Sequence, residues 1–211
     1  MPAVGTDLLI VQRGGINYKA AASEIAALAS GGSYGAHVAI KPPVNGFAHM
    51  ALNAGALATV TAAINRLDLV PFIPAKAITV NQLNLEVTTL LAASTARLGI
   101  YASDAGSVPS TLIQQGATTI DCATVGDKST AVTATVLAAG TLYWIAIATS
   151  GAQTFRGLPL TSLMCLPGDA TITGVYTLRR ATFTYASLPA TAPTSVPTSS
   201  IAPFVRLRVS A

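Results

Sequence analysis

The sequence predicts an all-β protein whose main domain is a jelly-roll-like β-sandwich of about eight strands. Between residues 78 and 157, apolar and polar residues alternate in short runs. For example, Leu83, Leu85 and Val87 alternate with polar residues. Gly, Pro, Ser and Asp residues separate these runs at the spacing typical of turns between strands. Only 9% of the residues are charged, against about 25% in an average soluble protein. The sequence carries no recognisable catalytic motif, so it favours a structural or binding protein over an enzyme.

Residues 1–30 are predicted to form a small separate module. Segments 7–12 and 16–19 are predicted strands, joined by a turn at two adjacent glycines that accept positive φ. Ser23 is the predicted cap of a short helix over 24–29, which two further glycines would end. A hairpin and one short helix bury too little apolar surface to fold alone. We therefore expect the module to dock on the rest of the chain, on a symmetry mate or on a larger particle.

Residues 31–60 are predicted to be an extended arm or linker. Gly and Pro residues recur along this segment and interrupt any regular element. The segment is too apolar for a freely solvated tether. Tyr34, Phe47 and Met50 each need a surface to lie on, and a neighbouring subunit would supply one.

Residues 61–211 are predicted to form the β-sandwich. Two prolines place the segment 67–74 at a sheet edge, because Pro has no donor for the strand ladder. Val80 is out of phase with Leu83, which predicts a β-bulge near residues 81–82. The further strands are predicted at 83–88, 97–101, 111–120, 130–137, 142–149, 162–166, 173–185 and 204–209.

One of these strands is unusual because residues 143–147 are apolar on both faces. This pattern predicts a central strand covered on both sides, and a partner subunit is one candidate for the second cover. Tyr143 and Trp144 are interpreted as core residues, with a sugar-binding site as the alternative. The Pro/Thr/Ser-rich segment 190–202 is predicted to run extended across the surface.

The charge distribution excludes some partners. Low charge has two explanations: hydroxyl side chains solvate the surface, or much of the surface is buried in an assembly, which we favour. The net charge is +4, but the basic residues are scattered, so no nucleic-acid partner is predicted. Residues 129–155 are uncharged, yet Gly140 divides them into two alternating strands, so no membrane partner is predicted either. The N-terminal segment lacks the features of a signal peptide.

No metal site or cofactor is predicted. His37 and His49 are the only histidines, and neither has a Cys or carboxylate at ligand spacing. Cys122 and Cys165 are interpreted as two buried free thiols, with a disulfide between them as the alternative.

No enzymatic activity is predicted. A carbohydrate-active enzyme would need two carboxylates that converge in a groove, and nothing in the sequence selects such a pair. Asp104, Asp127 and Asp169 lie next to or near glycines and are predicted turn residues. The spacing G-x-S-x-G occurs at residues 31–35 around Ser33, but it lies in the predicted arm and not between a predicted strand and a predicted helix, so no nucleophile elbow is predicted.

Two segments resemble bacteriophage virion proteins. Residues 7–19 with 22–25, reading DLLIVQRGGINYK and ASEI, resemble a short N-terminal module of phage structural proteins. Residues 96–146, from ARLGIY to GTLYWIA, resemble a β-sandwich domain of tail fibres and head decorations. The resemblance implies a homo-oligomeric virion component, commonly a trimer, assembled in the cytoplasm of the bacterial host. The chain is short for a fibre and has no fibrous shaft, which favours a capsid decoration (cement) protein on the capsid surface.

In this interpretation residues 1–60 contact the major capsid protein and partner subunits, and the sandwich projects outward. A tail fibre, tail adaptor or receptor-binding protein, bound to other tail proteins, is the alternative. The residues expected at virion and subunit contacts are Leu8, Ile10, Arg13, Tyr18, Ile25, Tyr34, Phe47 and Met50.

Overall fold

The structure is a computed structural model, and it describes residues 8–13, 16–21, 42–51, 56–164, 166 and 176–210. The chain divides into two compact units, Met1–Tyr34 and Gly35–Ala211. In the first unit, β1 (Leu8–Arg13) and β2 (Ile16–Ala21) pair antiparallel as a two-stranded sheet of their own. The helix predicted over 24–29 lies outside the described residues.

The second unit is all-β, as predicted, and contains two antiparallel sheets. Its described residues include no α-helix, only a 3₁₀ turn at Leu160–Ser162. The first sheet contains β3 (Phe47–His49), β4 (Ala58–Thr61), β6 (Ile78–Thr89), β10 (Gly126–Leu137), β12 (Thr154–Leu158), β15 (Ala202–Pro203) and β16 (Arg206–Ser210). The second sheet contains β5 (Arg66–Phe72), β7 (Thr95–Ser103), β8 (Pro109–Gln115), β9 (Ile120–Asp121), β11 (Tyr143–Thr149), β13 (Leu178–Thr182) and β14 (Val196–Thr198).

The long strand β6 organises the first sheet. β10 pairs along one edge of it, while β16 and β12 share the other edge at different positions. In both the β10 and the β16 ladders the register passes from Gln82 to Val80, so Asn81 has no opposite residue. The bulge predicted near residues 81–82 is therefore confirmed.

The second sheet corrects the prediction that the segment 67–74 is an edge strand. β5 lies between β13 and β11 in the order β14-β13-β5-β11-β7-β8. Proline still lies where one edge of the strand is unpaired, because β13 pairs only with residues 66–69 and ends before Pro71. Beyond Leu69 that edge of β5 has no paired strand among the described residues, so the missing N–H of Pro71 interrupts no ladder there.

One hydrophobic cluster is shared by the two sheets. Leu83 and Leu85 of β6, Leu207 of β16, and Phe72 and Ile145 of the second sheet are all fully buried in it. This burial explains why apolar and polar residues alternate along β6 and β16, because every second side chain packs into the cluster.

A second cluster covers the opposite face of the second sheet. Trp144 and Tyr101 are fully buried in it together with Leu188 from the segment 183–192, which crosses this face. The Tyr101 hydroxyl donates to the Pro189 carbonyl at 2.8 Å. All seven residues of β11 are buried, as the pattern predicted, but this chain itself supplies the second cover.

Backbone bonds hold the crossing segment on the sheet. The Leu112 N–H donates to the Ala190 carbonyl at 2.8 Å, and the Ala192 N–H donates to the Ser110 carbonyl at 2.7 Å. These bonds give β8 a neighbour on its outer side.

Two strands in the predicted arm 31–60, β3 and β4, lie in the first sheet. β3 pairs with β16, and β4 pairs with β12. The segment thus packs on its own chain, because these strands supply ladder partners to β16 and β12. The strand predicted at 162–166 is also absent: Leu160–Ser162 is a 3₁₀ turn, and Leu166 forms only an isolated bridge with Tyr176.

Candidate functional site

The side of the first sheet that points away from the shared cluster is the candidate contact surface. Strand alternation builds it: on β16, Leu207 points into the cluster and its neighbours Arg206 and Arg208 point out. On β3, Ala48 is buried and Phe47 and His49 point out. We call this surface the outer face; its residues are Phe47, His49, Gln82, Asn84, Glu86, Asp127, Arg156, Arg206 and Arg208.

Arg206 lies at the centre of the outer face and joins its charged and aromatic parts. Its guanidinium stands 5.0 Å from the centre of the Phe47 ring, in cation–π geometry. Its Nη2 donates to Asp127 Oδ1 at 2.6 Å. Three strands thereby fix one guanidinium, and an aromatic ring beside a fixed cation is a common element of protein contact surfaces.

A second ion pair lies next to the first. Arg156 binds Glu86 through two hydrogen bonds, Nε to Oε2 at 3.0 Å and Nη2 to Oε1 at 2.7 Å. These bonds lower the pKa of Glu86. The side chains of Arg156 and Glu86 are 33% and 34% exposed, so water screens their attraction and the main effect of the pair is to orient the charges.

Asn84 provides an unpaired acceptor in the middle of the same face. It lies between Ser129 on β10 and Arg206 on β16. The residue is 9% exposed, and its Oδ1 has no hydrogen-bond partner among the described residues. An unpaired buried acceptor costs about 1–3 kcal/mol.

The margin of the outer face carries a stacked pair of rings. The ring centres of His49 and Phe204 are 5.5 Å apart, with planes 23° from parallel. Desolvation of the imidazole and, to a smaller extent, the nearby Arg206 charge lower the pKa of His49. The imidazole is thus neutral at pH 7 and contributes an apolar surface with a polar edge.

The predicted contact residues fall in different parts of the chain. Leu8, Ile10 and Arg13 lie in β1 and Tyr18 lies in β2, in the N-terminal unit. Ile25 and Tyr34 are outside the described residues.

The last two predicted contact residues differ in exposure. Phe47 lies on the outer face, and Met50 is fully buried in the shared cluster of its own chain. Arg206 and Arg208 are residues of the outer face that no motif in the sequence identifies, although they alternate with apolar residues in the last strand. That alternation was the available signal.

The two carboxylates of the outer face are not arranged as an acid–base pair. Glu86 and Asp127 are opposite each other in the β6–β10 ladder, but each is bonded to an arginine, and the pKa of Glu86 is lowered where a general acid needs it raised. Asp127 is therefore a strand residue and not the predicted turn residue. Asp104 is a turn residue, as predicted, because its Oδ1 accepts from the N–H groups of Gly106 and Val108 at 2.9 and 2.8 Å.

No known protein-family model matches the chain, and no curated protein matches it. Among the described residues, no group of three or more His, Cys, Asp or Glu side chains could hold a metal ion, and no helix has the length and apolarity to cross a membrane. Cys122 is buried as a free thiol, whereas Cys165 is outside the described residues.

Proposed function

We propose that this protein is a structural component of a bacteriophage virion, a trimeric decoration protein of the capsid whose main unit is a jelly-roll-like sandwich. The observation that carries the proposal is the division of the chain into a small unit, Met1–Tyr34, and a larger unit with its own core. A two-stranded sheet is marginally stable by itself in water. A small unit of this kind suits an anchor that is completed by docking on the major capsid protein.

Exposed aliphatic side chains at one end of the second unit support assembly. Leu90 and Leu91 follow β6 and are 48% and 41% exposed, and Val125, just before β10, is 57% exposed. They share one end because β6 and β10 pair up to Val87 and Gly126. Burying such side chains against a neighbouring subunit would contribute about 25 cal/mol per Å² of apolar surface.

The mechanism in this proposal is passive, with no reaction step. The N-terminal unit holds the chain on the capsid, the apolar end joins copies, and the outer face offers fixed charges and the Phe47 ring to a protein neighbour. Contacts that bridge adjacent capsomers resist the outward pressure of packaged DNA.

The anchor is tested by removing residues 1–34 and measuring binding to phage particles that lack the protein. We expect the shortened chain to keep the unfolding midpoint of its core and to lose particle binding. The matched control is Val136→Asp in the full chain, because Val136 is 66% exposed on β10 and lies far along the strand from Val125. Particle binding retained by the shortened chain would contradict the anchor.

The apolar end is tested by Leu90→Asp combined with Val125→Asp. We expect a loss of the oligomer in analytical ultracentrifugation, because charged side chains resist burial in an interface. Val136→Asp again serves as the control and is expected to leave the oligomer intact. Equal behaviour of the two variants would contradict an interface at this end.

A location in the tail, as a fibre, adaptor or receptor-binding protein, is the second candidate, because a small anchoring unit followed by a β unit suits that role as well. Quantitative gels of purified virions separate the two. Decoration predicts a copy number near that of the capsid subunits, and a tail part predicts about six to eighteen copies, set by the symmetry of the tail.

A further inference from the structure

A pocket at the margin of the second sheet is lined by residues other than those named for the outer face and the apolar end. Its volume is about 350 Å³, within the range of small-molecule sites. It is lined by Ala63, Ile64, Asn65, Arg66, Arg180, Ala181, Thr182 and Val196. The two arginines distinguish it from the mostly apolar surface of this weakly charged chain.

The sheet register brings the arginines together around one carboxylate. Arg66 and Asp68 are two residues apart on β5 and therefore point to the same side, and Arg180 is opposite Asp68 in the β13 ladder. Arg66 Nη2 donates to Asp68 Oδ2 at 3.0 Å, and Arg180 Nε donates to Oδ1 at 2.8 Å. Asp68 is only 5% exposed, so both guanidinium groups are held by a buried anchor.

The arrangement leaves positive charge and donors unused. One carboxylate faces two guanidinium groups, and both of its oxygens are occupied. Arg180 Nη2 donates to Ser200 Oγ at 2.8 Å, which leaves Nη1 of Arg180, and Nε and Nη1 of Arg66, without a partner among the described residues. Each arginine is 23% exposed at its side chain, so these donors are partly desolvated and still accessible. Oriented guanidinium groups match the oxygen spacing of carboxylates and phosphates.

The rim of the pocket is apolar. Ile64 is 55% exposed and Val196 is 61% exposed, and both line the pocket beside the arginines. A cationic interior with an aliphatic rim suits a ligand that has an anionic head and an apolar body.

We propose that this pocket binds an organic oxyanion, a carboxylate or phosphate group carried on an apolar body. The inference goes beyond the proposed function and does not depend on it, because the pocket involves neither the N-terminal unit nor the apolar end. Asp68 preorganises the two arginines, and preorganisation reduces the entropic cost of binding.

The test uses the full chain, labelled with ¹⁵N, and three probes of similar size: benzoate, phenyl phosphate and uncharged benzamide. We expect benzoate or phenyl phosphate to shift the backbone amide signals of residues 64–66 and 180–182, and benzamide to bind roughly tenfold more weakly or less. Affinity should fall as salt rises, because part of the attraction is screened. The stronger of the two anions identifies the head group.

A matched pair of variants locates the site without disturbing Asp68. Ile64→Asp places a carboxylate at the rim, where it competes for the free guanidinium donors, and should weaken anion binding roughly fivefold or more. Val136→Asp makes the same chemical change at a similarly exposed position on the first sheet and should leave the affinity unchanged. Thermal unfolding of both variants verifies that they remain folded.

Three results would each overturn the proposal. The first is the absence of signal changes with both anions up to about 10 mM, which corresponds to negligible affinity. The second is equal binding of benzoate and benzamide, since the arginines would then contribute nothing. The third is an equal loss of anion affinity in Ile64→Asp and Val136→Asp, because the loss would then come from the change in net charge and not from the pocket.

Discussion

Replacing Leu188 by Ala tests whether the chain itself covers the second face of its central sheet. Leu188 is 5% exposed and belongs to the same buried cluster as Tyr101 and Trp144. Its Cδ1 lies only 2.4 Å from the position that a Cβ would occupy on Gly99. The side chain therefore reaches the backbone of β7 itself.

The expected loss follows from burial and from the nature of the segment. Truncating a buried leucine to alanine costs about 2–5 kcal/mol, from lost transfer energy and from the cavity that remains. Hydrogen bonds to Pro189 and Ala190 hold the segment 183–192 on the sheet and limit its relaxation into the cavity. We therefore expect a decrease of about 2–5 kcal/mol in the free energy of unfolding.

Urea unfolding followed by tryptophan fluorescence measures this loss directly. Trp144 is the sole tryptophan and is fully buried in the same cluster. The control is Leu160→Ala, because Leu160 is 45% exposed and should change stability by less than about 0.5 kcal/mol. The prediction is contradicted if the free energy of unfolding of Leu188→Ala stays within about 0.5 kcal/mol of the wild type and its urea m-value is unchanged. That result would favour a cover supplied by a partner.

Three further predictions concern the same sheet. Gly99→Ala should be destabilising because its Cβ would meet Leu188, and combining it with Leu188→Ala should cost about 1 kcal/mol less than the sum of the two single changes. Burial raises the pKa of Tyr101 to about 12, above the usual value of 10, so the unfolded state loses its proton first and stability should fall between pH 10 and 12. Burial likewise raises the pKa of the Cys122 thiol to about 11, so a Cys165→Ser variant should react with a thiol reagent at pH 8 only on unfolding.

Each of these has a clear contrary outcome. If the losses in free energy of unfolding from the two substitutions simply add, the proposed contact between residue 99 and Leu188 is contradicted. In the Tyr101→Phe variant the alkaline loss should become smaller, and an unchanged profile would assign it to other groups. Rapid thiol reaction in the folded Cys165→Ser variant would contradict the burial of Cys122.

Local patterns in the sequence predicted several elements well. The alternation in β6 and β16 indicated which side chains are buried, and the phase change between Val80 and Leu83 indicated the bulge at residues 81–82. These features depend only on the two-residue period of a strand, which neighbouring residues express without reference to the rest of the chain.

The alternation of apolar and polar residues does not predict pairings between residues that are distant in the sequence. The Asp68–Arg180 ion pair joins residues 112 positions apart, and the Arg206–Asp127 pair joins residues 79 positions apart. An isolated arginine in a strand looks the same in the sequence whether it faces solvent or a buried carboxylate. Neither the outer face nor the oxyanion pocket could therefore be assembled from spacing.

The strand content of the described residues, the burial of β11 on both faces and the low charge can all be inferred from the sequence alone. What covers β11, the segment 183–192 of the same chain, is evident only from the three-dimensional packing. The same packing shows that β3 and β4 of the predicted arm pair into the first sheet. The physical reason is that hydrophobicity records whether a face leaves water, whereas the identity of the covering surface depends on register and chain path.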